Sequence, residues 1–567
     1  MLPRLRSVLA CLAASICVAS GQTFTRLGTC PDLGCVLPPD QQDFHPGQQF
    51  DIRFEIHAPI NGSEAFNNGV PDEKFTATIY EDLFAQDANT PSVVNVASKI
   101  YRRIALYEPG TYTVTLSYYS GKKTTAQWTV RPLANKKKAK NVIFFIGDGM
   151  TIAIITAARL LAHKTVNGRY QSLMALDKFP VLGHQMTHSV DNFMTDSANS
   201  ANALYTGHKS SLYAMGVYAD SSPDDFDDSK VETIVELLTR ILAVTTAALN
   251  GISNYSWTKI DGPDVYFGGG ADFFLPGATS YLGKDYYEEF EKKGYSISLN
   301  KTALATASDR SKALGVFCKY DMPVWLDRNI FPENLGKRNN DPSRAKTFAK
   351  DLPGLKEMTL KAIDVLHNRG GKKGFFLMSE AASIDKQMHA LDYDRALGDL
   401  LELDDTIQAT IEKLKKMGIL QDTLIVVFAD HGHGFGSDDP RQKRNAIGVY
   451  EKAGLSQYVT PQPGVSYNTG PNFPLNWDPR YVLAAGVGGS TDYYFNPTDK
   501  PHGFVVNGTL PTDQYAGVHS LTDVPVYAMG PCQEVFRGTY DNIDLFYKLA
   551  NCLGLAHGTN RTDGYRS

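Results

Sequence analysis

Three continuous apolar runs, each followed by polar residues, constrain the fold of this chain more than any other feature. The runs occupy residues 141–146, 375–378 and 423–429. Unbroken apolar character is typical of parallel strands that are buried on both faces. Segments with helical periodicity accompany them at residues 231–242, 355–368 and 394–417. This alternation predicts an α/β fold with a doubly wound, mostly parallel sheet flanked by helices, whose ligand lies beyond the carboxyl ends of the strands.

The part of the chain before the first run has a different periodicity. Apolar residues alternate with polar ones at Phe50, Ile52, Phe54 and Ile56, and two further alternating runs flank residues 120–123. A period of two predicts strands, and the second pair predicts a hairpin. Short strands separated by turns predict a small β-sandwich domain over residues 22–132. The charged residues 133–140 are interpreted as a linker to a second domain, residues 141–567.

The first 21 residues have the pattern of a secretory signal. A basic start at residues 1–6 precedes an apolar stretch at residues 7–19 and small residues at Ser20 and Gly21. The stretch is too short for a transmembrane helix, so we expect cleavage and a secreted, extracellular protein with no membrane segment. Five sequons fit a glycoprotein, and they begin at Asn61, Asn254, Asn300, Asn507 and Asn560.

Five cysteines remain after removal of the signal. In an oxidising compartment we expect local disulfides between Cys30 and Cys35 and between Cys532 and Cys552, with Cys318 unpaired. The formal net charge of -5 and the absence of a basic stripe give no reason to expect a nucleic-acid partner.

Ser197 is the candidate nucleophile. It follows Asp196 directly and precedes a run of small residues, in which Ala198, Ser200 and Ala201 stand close together. This order predicts that Ser197 lies at or near a helix N-terminus, where free N–H groups and the helix dipole favour an anion. An isolated tripeptide of this kind is usually only a capped helix, so the interpretation depends on residues elsewhere.

Residue types suited to metal ions follow four predicted strand ends. These residues are Asp148 after the first run, Glu380, Asp385 and His389 after the second, Asp430 and His431 after the third, and His519 after residues 515–518. Asp385 and His389 are four residues apart and share one face of a helix. Each group alone is common in solvated loops, whereas four strand ends of the same chemistry indicate a metal site.

The residue types predict the reaction as well as the metals. Mixed Asp and His ligands suit zinc, and carboxylate and hydroxyl oxygens suit magnesium. Two zinc ions a few ångström apart can clamp the attacking and leaving oxygens of an in-line phosphoryl displacement. With Ser197 as the nucleophile, such a site predicts a phosphoseryl intermediate.

With these motifs the chain resembles the alkaline phosphatases, of a secreted type with an extra N-terminal β-domain. The matching segments are residues 141–150, 195–207, 265–271, 379–389, 428–431 and 518–531. The resemblance implies hydrolysis of phosphate monoesters through a phosphoserine at a site with two zinc ions and one magnesium ion. It also implies a homodimer that acts on small phosphate monoesters and on phosphorylated macromolecules.

The resemblance also implies a role for each candidate residue. Ser197 is the phosphorylated nucleophile. The implied metal sites are Asp385, His389 and His519 for the first zinc, Asp196, Asp430 and His431 for the second, Asp148 as a bridge between the second zinc and magnesium, and Glu380 for magnesium. Asp196 is equally well explained as a helix cap that supports the site without binding an ion. His433 is expected only to neighbour the pocket.

One segment departs from the family pattern. The family carries a stretch with a magnesium ligand and a phosphoryl-binding arginine where this chain runs directly through residues 237–251. Arg240 is the nearest arginine, but it lies on the predicted helix and is not expected to replace the missing one. Two explanations stay open, a real deletion that weakens the enzyme and an error in the deduced sequence.

Alternative functions remain beside the monoesterase. A phosphodiesterase of the same superfamily often lacks the magnesium site, so the broken segment keeps that alternative open. A sulfatase is excluded because Ser197 is followed by Ala-Asn-Ser and not by the motif that such enzymes need. A catalytically impaired phosphate-binding glycoprotein is the alternative from a different class.

Overall fold

A computed structural model of the chain describes residues 33–61, 64–65, 76–80, 92–119, 121–163, 165–166, 169–190, 194–211, 213–220, 227–242, 262–277, 279–337, 339–343, 347–390, 392–434, 482–484, 493–495 and 519–556. Several predicted features lie outside the described residues. They are the signal at residues 1–21, Cys30, the sequons at Asn254, Asn507 and Asn560, and residues 243–251 of the departing segment.

The N-terminal part is built from strands, as its period of two predicted. These are β1 Gly34–Leu37, β2 Gln42–Phe44, β3 Gln49–Asn61, β4 Glu64–Ala65, β5 Thr76–Tyr80, β6 Ser92–Ala105, β7 Gly110–Tyr118 and β8 Lys122–Val130. One sheet has the order β1-β3-β6-β5 with β4 beside β3, and the other has the order β2-β8-β7. The predicted hairpin is confirmed, because β7 and β8 pair antiparallel along their whole length.

The two sheets enclose a shared apolar core. Val36, Phe44, Phe50 and Trp128 come from both sheets and are almost completely buried. Alternate residues of β8 are buried and exposed, as in a strand with one face on a core. This arrangement confirms the small β-domain that was predicted before the larger domain. We call it the β-domain below.

The larger part of the chain contributes further strands. These are β9 Asn141–Gly147, β10 Thr165–Val166, β11 Arg169–Tyr170, β12 Val181–Met186, β13 Val217–Tyr218, β14 Ser229–Lys230, β15 Val265–Gly268, β16 Tyr295–Ser298, β17 Lys312–Val316, β18 Phe376–Ala381, β19 Thr423–Phe428, β20 Gly432–His433, β21 Val482–Ala484, β22 Tyr493–Phe495, β23 His519–Ser520, β24 Val524–Met529 and β25 Gly538–Asp541.

The central sheet confirms the predicted fold class. Among the described residues it has six strands in the order β18-β9-β19-β24-β12-β25. Only β24 runs against its two neighbours, while the other three pairings are parallel. The sheet is therefore mostly parallel, with one reversed strand that the apolar pattern did not reveal. A smaller parallel sheet has the order β15-β17-β16.

Helices cover both faces of the central sheet. The α-helices are α1 Ile152–Ala162, α2 Ser197–Thr206, α3 Ile234–Leu242, α4 Tyr286–Lys292, α5 Lys301–Thr306, α6 Trp325–Asn329, α7 Leu355–Gly370, α8 Ser383–His389, α9 Tyr393–Lys416 and α10 Ile543–Leu553. Short 3₁₀ helices occupy Leu176–Lys178, Ala271–Phe273, Tyr281–Gly283, Pro332–Lys337, Leu420–Asp422 and Gln533–Phe536.

Burial of β9 on both faces explains its unbroken apolar sequence. Ile143 and Phe145 face a core formed with α1, α7, α8 and α9, whereas Val142 and Phe144 face a second core formed with α2, α3 and α10. Every residue of β9 and of β19 is buried. The two apolar cores on opposite faces are what make the fold doubly wound.

The cysteines follow the prediction as far as they are described. Cys532 and Cys552 form a disulfide, and the buried Cys318 belongs to no disulfide of the described residues. The pairing of Cys30 with Cys35 involves a residue outside the described part. Within that part, no helix is long and apolar enough to span a membrane.

Candidate active site

Three of the four predicted strand ends lie together at one edge of the central sheet. β18, β9 and β19 are parallel neighbours, so their carboxyl ends share that edge. Asp148 follows β9 and Asp430 follows β19, as predicted. Glu380 lies inside β18, opposite Ile146, and not after the strand as expected. The sheet thus brings three carboxylates of distant sequence position to one edge.

Ser197 is the first residue of α2, as predicted from its neighbours. The Asp196 side chain caps the helix, accepting hydrogen bonds from the backbone N–H groups of Ala198 at 3.1 Å and Asn199 at 3.4 Å. Small residues let α2 pack against α10, with Ala203 completely buried. The Ser197 hydroxyl is half-buried at the open end of this helix.

Two contacts hold α2 against the end of β19. Ser200 Oγ donates a hydrogen bond to the carbonyl oxygen of Asp430 at 2.8 Å. Ser197 Oγ lies 3.0 Å from Nε2 of His431. The hydroxyl of the candidate nucleophile therefore points into the same space as the metal-ligand candidates.

One group of possible ligands consists of Asp385, His389, His433 and His519, whose ligand atoms all lie within 4.8 Å of one another. As the i, i+4 spacing predicted, Asp385 Oδ2 and His389 Nε2 meet on one face of α8, 3.4 Å apart. His519 Nε2 is 3.3 Å from Asp385 Oδ1. The Nδ1 atom of His519 lies 2.7 Å from the Thr195 carbonyl oxygen and donates to it, so Nε2 is the ring nitrogen that can act as a ligand.

His519 is positioned differently from the prediction. The expected strand at residues 515–518 lies outside the described residues, and His519 itself begins β23. This strand pairs antiparallel with β20, with His519 opposite His433. The pairing explains how a histidine from far along the chain reaches the group formed by α8.

A second group consists of Asp148, Asp385 and His431, again with ligand atoms within 4.8 Å. His431 Nε2 lies 3.4 Å from Asp148 Oδ1 and 3.3 Å from Asp430 Oδ2. The other Asp430 oxygen accepts hydrogen bonds from the backbone N–H groups of Gly149 at 3.0 Å and His431 at 2.9 Å. Asp430 is thereby held with one oxygen toward the ring of His431.

Burial raises the pKa of two carboxyl groups of this site, those of Asp148 and Glu380. It raises the pKa of Asp148 well above the usual range, with contributions from the nearby Asp430 and Asp385. Burial also raises the pKa of Glu380 to about 7. Burial would raise the pKa of Asp385 too, but its contact with His519 and the charges of the other histidines lower it instead. So many buried carboxyl groups are costly without compensating positive charge.

The histidines also differ in the direction in which their pKa values are shifted. Burial lowers the pKa of His431, and it lowers the pKa of His433 to about 3. For His519 the effect of burial is outweighed by Asp385 and the Thr195 carbonyl, which raise its pKa. Neutral imidazole is the form that binds metal ions.

The residues present fit a metal centre. Asp148 Oδ1 and His433 Nε2 are buried without a hydrogen-bond partner; the atoms facing them are His431 Nε2 at 3.4 Å and Asp385 Oδ1 at 3.6 Å. Gly149 has a positive φ of 66°, and a Cβ there would approach Met388 to 3.0 Å and His433 Cβ to 3.1 Å. A larger residue would therefore push the ligand-bearing segments apart. Imidazole and carboxylate donors together bind several divalent metal ions, zinc among them.

The structure adds one residue that the sequence reasoning placed only beside the pocket. His433 Nε2 is 3.6 Å from Asp385 Oδ1, so His433 belongs to the first group. The sequence could have indicated this role, because His433 stands two residues after His431 and alternate residues of an extended segment share a face. Conversely, Asp196, Glu380 and Asp430 fall within no ligand group among the described residues, although Asp430 Oδ2 lies 3.3 Å from His431 Nε2. Asp196 is engaged as a helix cap.

Comparison with known proteins agrees with the fold and identifies the family. The family profile described as alkaline phosphatase matches residues 139–241 and 238–555, and a PhoA-like N-terminal domain matches residues 33–80 and 73–131. The alkaline phosphatase of Escherichia fergusonii is 29% identical over 497 residues, covering 77% of this chain and 90% of that protein. Alkaline phosphatase H of Pseudomonas aeruginosa is 28% identical over 486 residues, covering 78% and 91%.

A solved structure supports the fold alone. The crystal structure of Thermus thermophilus alkaline phosphatase superposes with a TM-score of 0.50 at 20% identity, covering 75% of this chain and 93% of that one. The chain has the α/β class of fold, with a mostly parallel sheet between helices, and a serine lies beside buried carboxylates and imidazoles at one edge of that sheet. The family match extends over most of the chain, so the chain belongs to the alkaline phosphatase family. It is a hydrolase of phosphate monoesters, and its family generally uses metal ions.

Proposed function

We propose that the protein hydrolyses phosphate monoesters through a phosphoserine on Ser197, at a site that holds two zinc ions and one magnesium ion. The observation that carries the proposal is the 3.0 Å contact between Ser197 Oγ and His431 Nε2 at the N-terminus of α2. Because Ser197 Oγ and His431 Nε2 are close to each other, and His431 lies beside the buried Asp148, both atoms could bind the same ion.

The described residues suggest which side chains would hold each ion. The first zinc would be held by Asp385, His389 and His519, with His433 close by. The second zinc would be held by Asp430 and His431. Asp148 would serve both this zinc and the magnesium ion, and Glu380 would be the other magnesium ligand. When bound, these ions neutralise the buried carboxylates, lower the pKa of a coordinated hydroxyl or water, and offset charge on the phosphoryl oxygens.

The chain's own residues account for the order of bond changes. Ser197 Oγ forms a bond to phosphorus while the bond from phosphorus to the alcohol oxygen breaks, and the alcohol leaves. Water then attacks the phosphoserine, releasing inorganic phosphate and restoring the hydroxyl. The N-terminal dipole of α2 favours the negative charge carried by the phosphoryl group in both steps. Ser200 and Asp196 keep the helix end in place throughout.

The same proposal includes the compartment, the domain limits and assembly. We propose a secreted glycoprotein with a signal at residues 1–21, a β-domain at 22–132, a linker at 133–140, a catalytic domain at 141–567 and a homodimeric state. Asn300 supports the glycoprotein part, because it is exposed at the start of α5. Its side-chain oxygen caps that helix at 2.7 Å from Ala303 N.

A catalytically impaired phosphate-binding glycoprotein is the second candidate, and one observation favours it. The family match divides into two segments that meet at residues 238–241, where a stretch with an arginine and a magnesium ligand was expected to be missing. α3 runs to Leu242 and contains Arg240, and residues 243–261 lie outside the described part. Loss of a bidentate arginine would remove charge-assisted hydrogen bonds to the phosphoryl group.

Hydrolysis of a chromogenic aryl phosphate at alkaline pH tests the proposal. We expect turnover that is abolished by a chelator, restored by zinc and magnesium, and reduced at least ~1,000-fold by Ser197→Ala, as expected for loss of a nucleophile. Ser298→Ala is the matched control, since Ser298 is a buried serine in another sheet. We expect that variant to retain full activity.

Three outcomes would redirect the assignment. Retained activity in Ser197→Ala would remove the nucleophile from its role. Zinc binding without any turnover would favour the impaired binding protein. Faster hydrolysis of an aryl phosphate diester than of the monoester would favour the phosphodiesterase.

A further inference from the structure

The core of the β-domain is completed by residues of the larger part of the chain. Tyr218 and Val231 are buried in the same apolar cluster as Phe44, Phe50 and Trp128. An isolated backbone bridge between Phe50 and Val231 joins the two parts directly. The β-domain is therefore packed into the catalytic unit and is not a separate appendage.

We call the contact between the β-domain and the larger part of the chain the joint. Gln48 makes the most specific contact across it. Its side chain is completely buried, and Nε2 donates hydrogen bonds to the carbonyl oxygens of Thr206 at 2.8 Å and Glu232 at 2.9 Å. Its Oε1 accepts a hydrogen bond from the His45 backbone N–H at 3.0 Å. Because two of its three partners are carbonyl oxygens and the third is an N–H, the amide orientation is determined.

The position of Thr206 gives this contact its importance. Thr206 is the last residue of α2, and the final carbonyl groups of a helix have no partner within the helix. Gly207 then leaves the helix in the left-handed conformation, and its N–H bonds the Ala203 carbonyl. Gln48 supplies a donor that α2 cannot supply itself, at the end opposite to Ser197.

Aromatic packing reinforces the same end of α2. The rings of Phe44 and His208 have centroids 4.6 Å apart. His208 Nδ1 lies 3.0 Å from the Tyr218 hydroxyl, which donates in turn to Gln42 Oε1 at 3.0 Å. Phe44 and Gln42 belong to the β-domain, whereas His208 and Tyr218 follow α2, so these contacts connect the two parts of the chain.

A charged contact completes the joint. Arg131, at the end of the β-domain, forms ion pairs with Asp43 of its own domain and with Asp544 of α10. Its guanidinium lies 4.2 Å from the ring centroid of Tyr547. The Tyr547 hydroxyl donates a long hydrogen bond of 3.5 Å to the Gly207 carbonyl. α2, α10 and the β-domain thus meet around residues 206–208.

We propose that the β-domain is a positioning element of the active site, which holds α2 from its C-terminal end through Gln48 and thereby sets the placement of Ser197. This role rests on the proposed nucleophilic function of Ser197. α2 is a rigid element of less than three turns, so loosening one end tilts the other. A small displacement of a nucleophile can cost up to 100-fold in rate without changing substrate affinity.

Gln48→Met in the full-length protein tests this role, because it keeps the side-chain length and removes both donors. We expect kcat to fall ~10-fold with KM unchanged, part of the range for a displaced nucleophile. We also expect faster hydrogen exchange in peptides covering α2. Val114→Ala is the control: Val114, from β7, is partly buried against the β-domain core and takes part in none of the hydrogen bonds and ion pairs described above. It lowers the stability of the same domain and leaves both readouts unchanged.

A milder variant keeps the test decisive if Gln48→Met does not fold. Tyr218→Phe removes only the hydroxyl that links Gln42 and His208, and we expect it to shift exchange in α2 in the same direction. Unchanged exchange and kcat in the folded Gln48 and Tyr218 variants would overturn the proposal, as would an equal fall in kcat for Val114→Ala.

The outcome is separable from that of the proposed function. If Ser197→Ala abolishes turnover while Gln48→Met does not affect kcat or exchange, only the positioning role fails. If Ser197→Ala remains active, the nucleophile assignment fails whatever Gln48 does. If the parent protein has no turnover, hydrogen exchange in α2 alone decides whether the β-domain holds the helix.

Discussion

Replacement of Asp196 distinguishes a helix cap from a metal ligand, the two roles that its position before Ser197 allowed. In the structure its carboxylate accepts hydrogen bonds from Ala198 N and Asn199 N, and Oδ1 also accepts one from Tyr213 N at 3.1 Å. Loss of an N-cap costs about 1 kcal/mol. The bond to the exposed Tyr213 contributes about 1 kcal/mol more. We therefore expect Asp196→Ala to lower the free energy of unfolding by about 2 kcal/mol.

Asp196→Asn separates the two roles. Asparagine caps helices as well as aspartate, so this variant loses only the charge–dipole term of about 0.5 kcal/mol. The assays are urea unfolding followed by tryptophan fluorescence and zinc content after dialysis. Asp430→Asn is the matched control, because it removes a charge from a proposed ligand of the second zinc. If Asp196→Asn loses zinc as readily as Asp430→Asn, the capping argument is wrong.

Two further predictions concern stability. Burial lowers the pKa of His208 to about 3. Its pKa in the folded protein is therefore below its pKa of about 6.5 in the unfolded chain. The stability that neutral His208 contributes is present above pH 6.5 and is lost as the pH falls toward 3. At pH 5 the loss is about 2 kcal/mol. The fall in unfolding free energy between pH 7.5 and pH 5 contains this loss together with those at His431 and His433. His208→Gln should therefore show a smaller fall than the parent protein; an equal fall would contradict the argument. The disulfide of Cys532 and Cys552 spans 20 residues, which gives about 3 kcal/mol in the loop-entropy treatment. Urea unfolding of the double alanine variant checks it, and a loss below about 1 kcal/mol would count against it.

Local signals explain why much of the architecture was predictable. Strands such as β9 and β19 are apolar throughout because two helical layers bury them, and that burial is visible in the sequence. The N-terminus of α2 was predictable because capping depends on adjacent residues, here Asp196 and the small residues that follow. The i, i+4 pair Asp385 and His389 needed only helical geometry.

Features that depend on distant pairing were not predictable. The reversed direction of β24 leaves no mark on its apolar composition. His433 joins the first ligand group only because β20 pairs with β23 opposite His519. The bond from Gln48 to Thr206 spans 158 positions of sequence, and no local pattern connects a glutamine of a β-domain with the end of a remote helix.

Trapping of the covalent intermediate tests the central claim most directly. The protein, supplied with zinc and magnesium, is mixed with an aryl phosphate, quenched in acid within one turnover, digested and analysed by mass spectrometry. The account predicts phosphate on the peptide that contains Ser197, and its disappearance when turnover is allowed to finish. Turnover without any phosphorylated peptide, or with phosphate on another residue, would contradict the account.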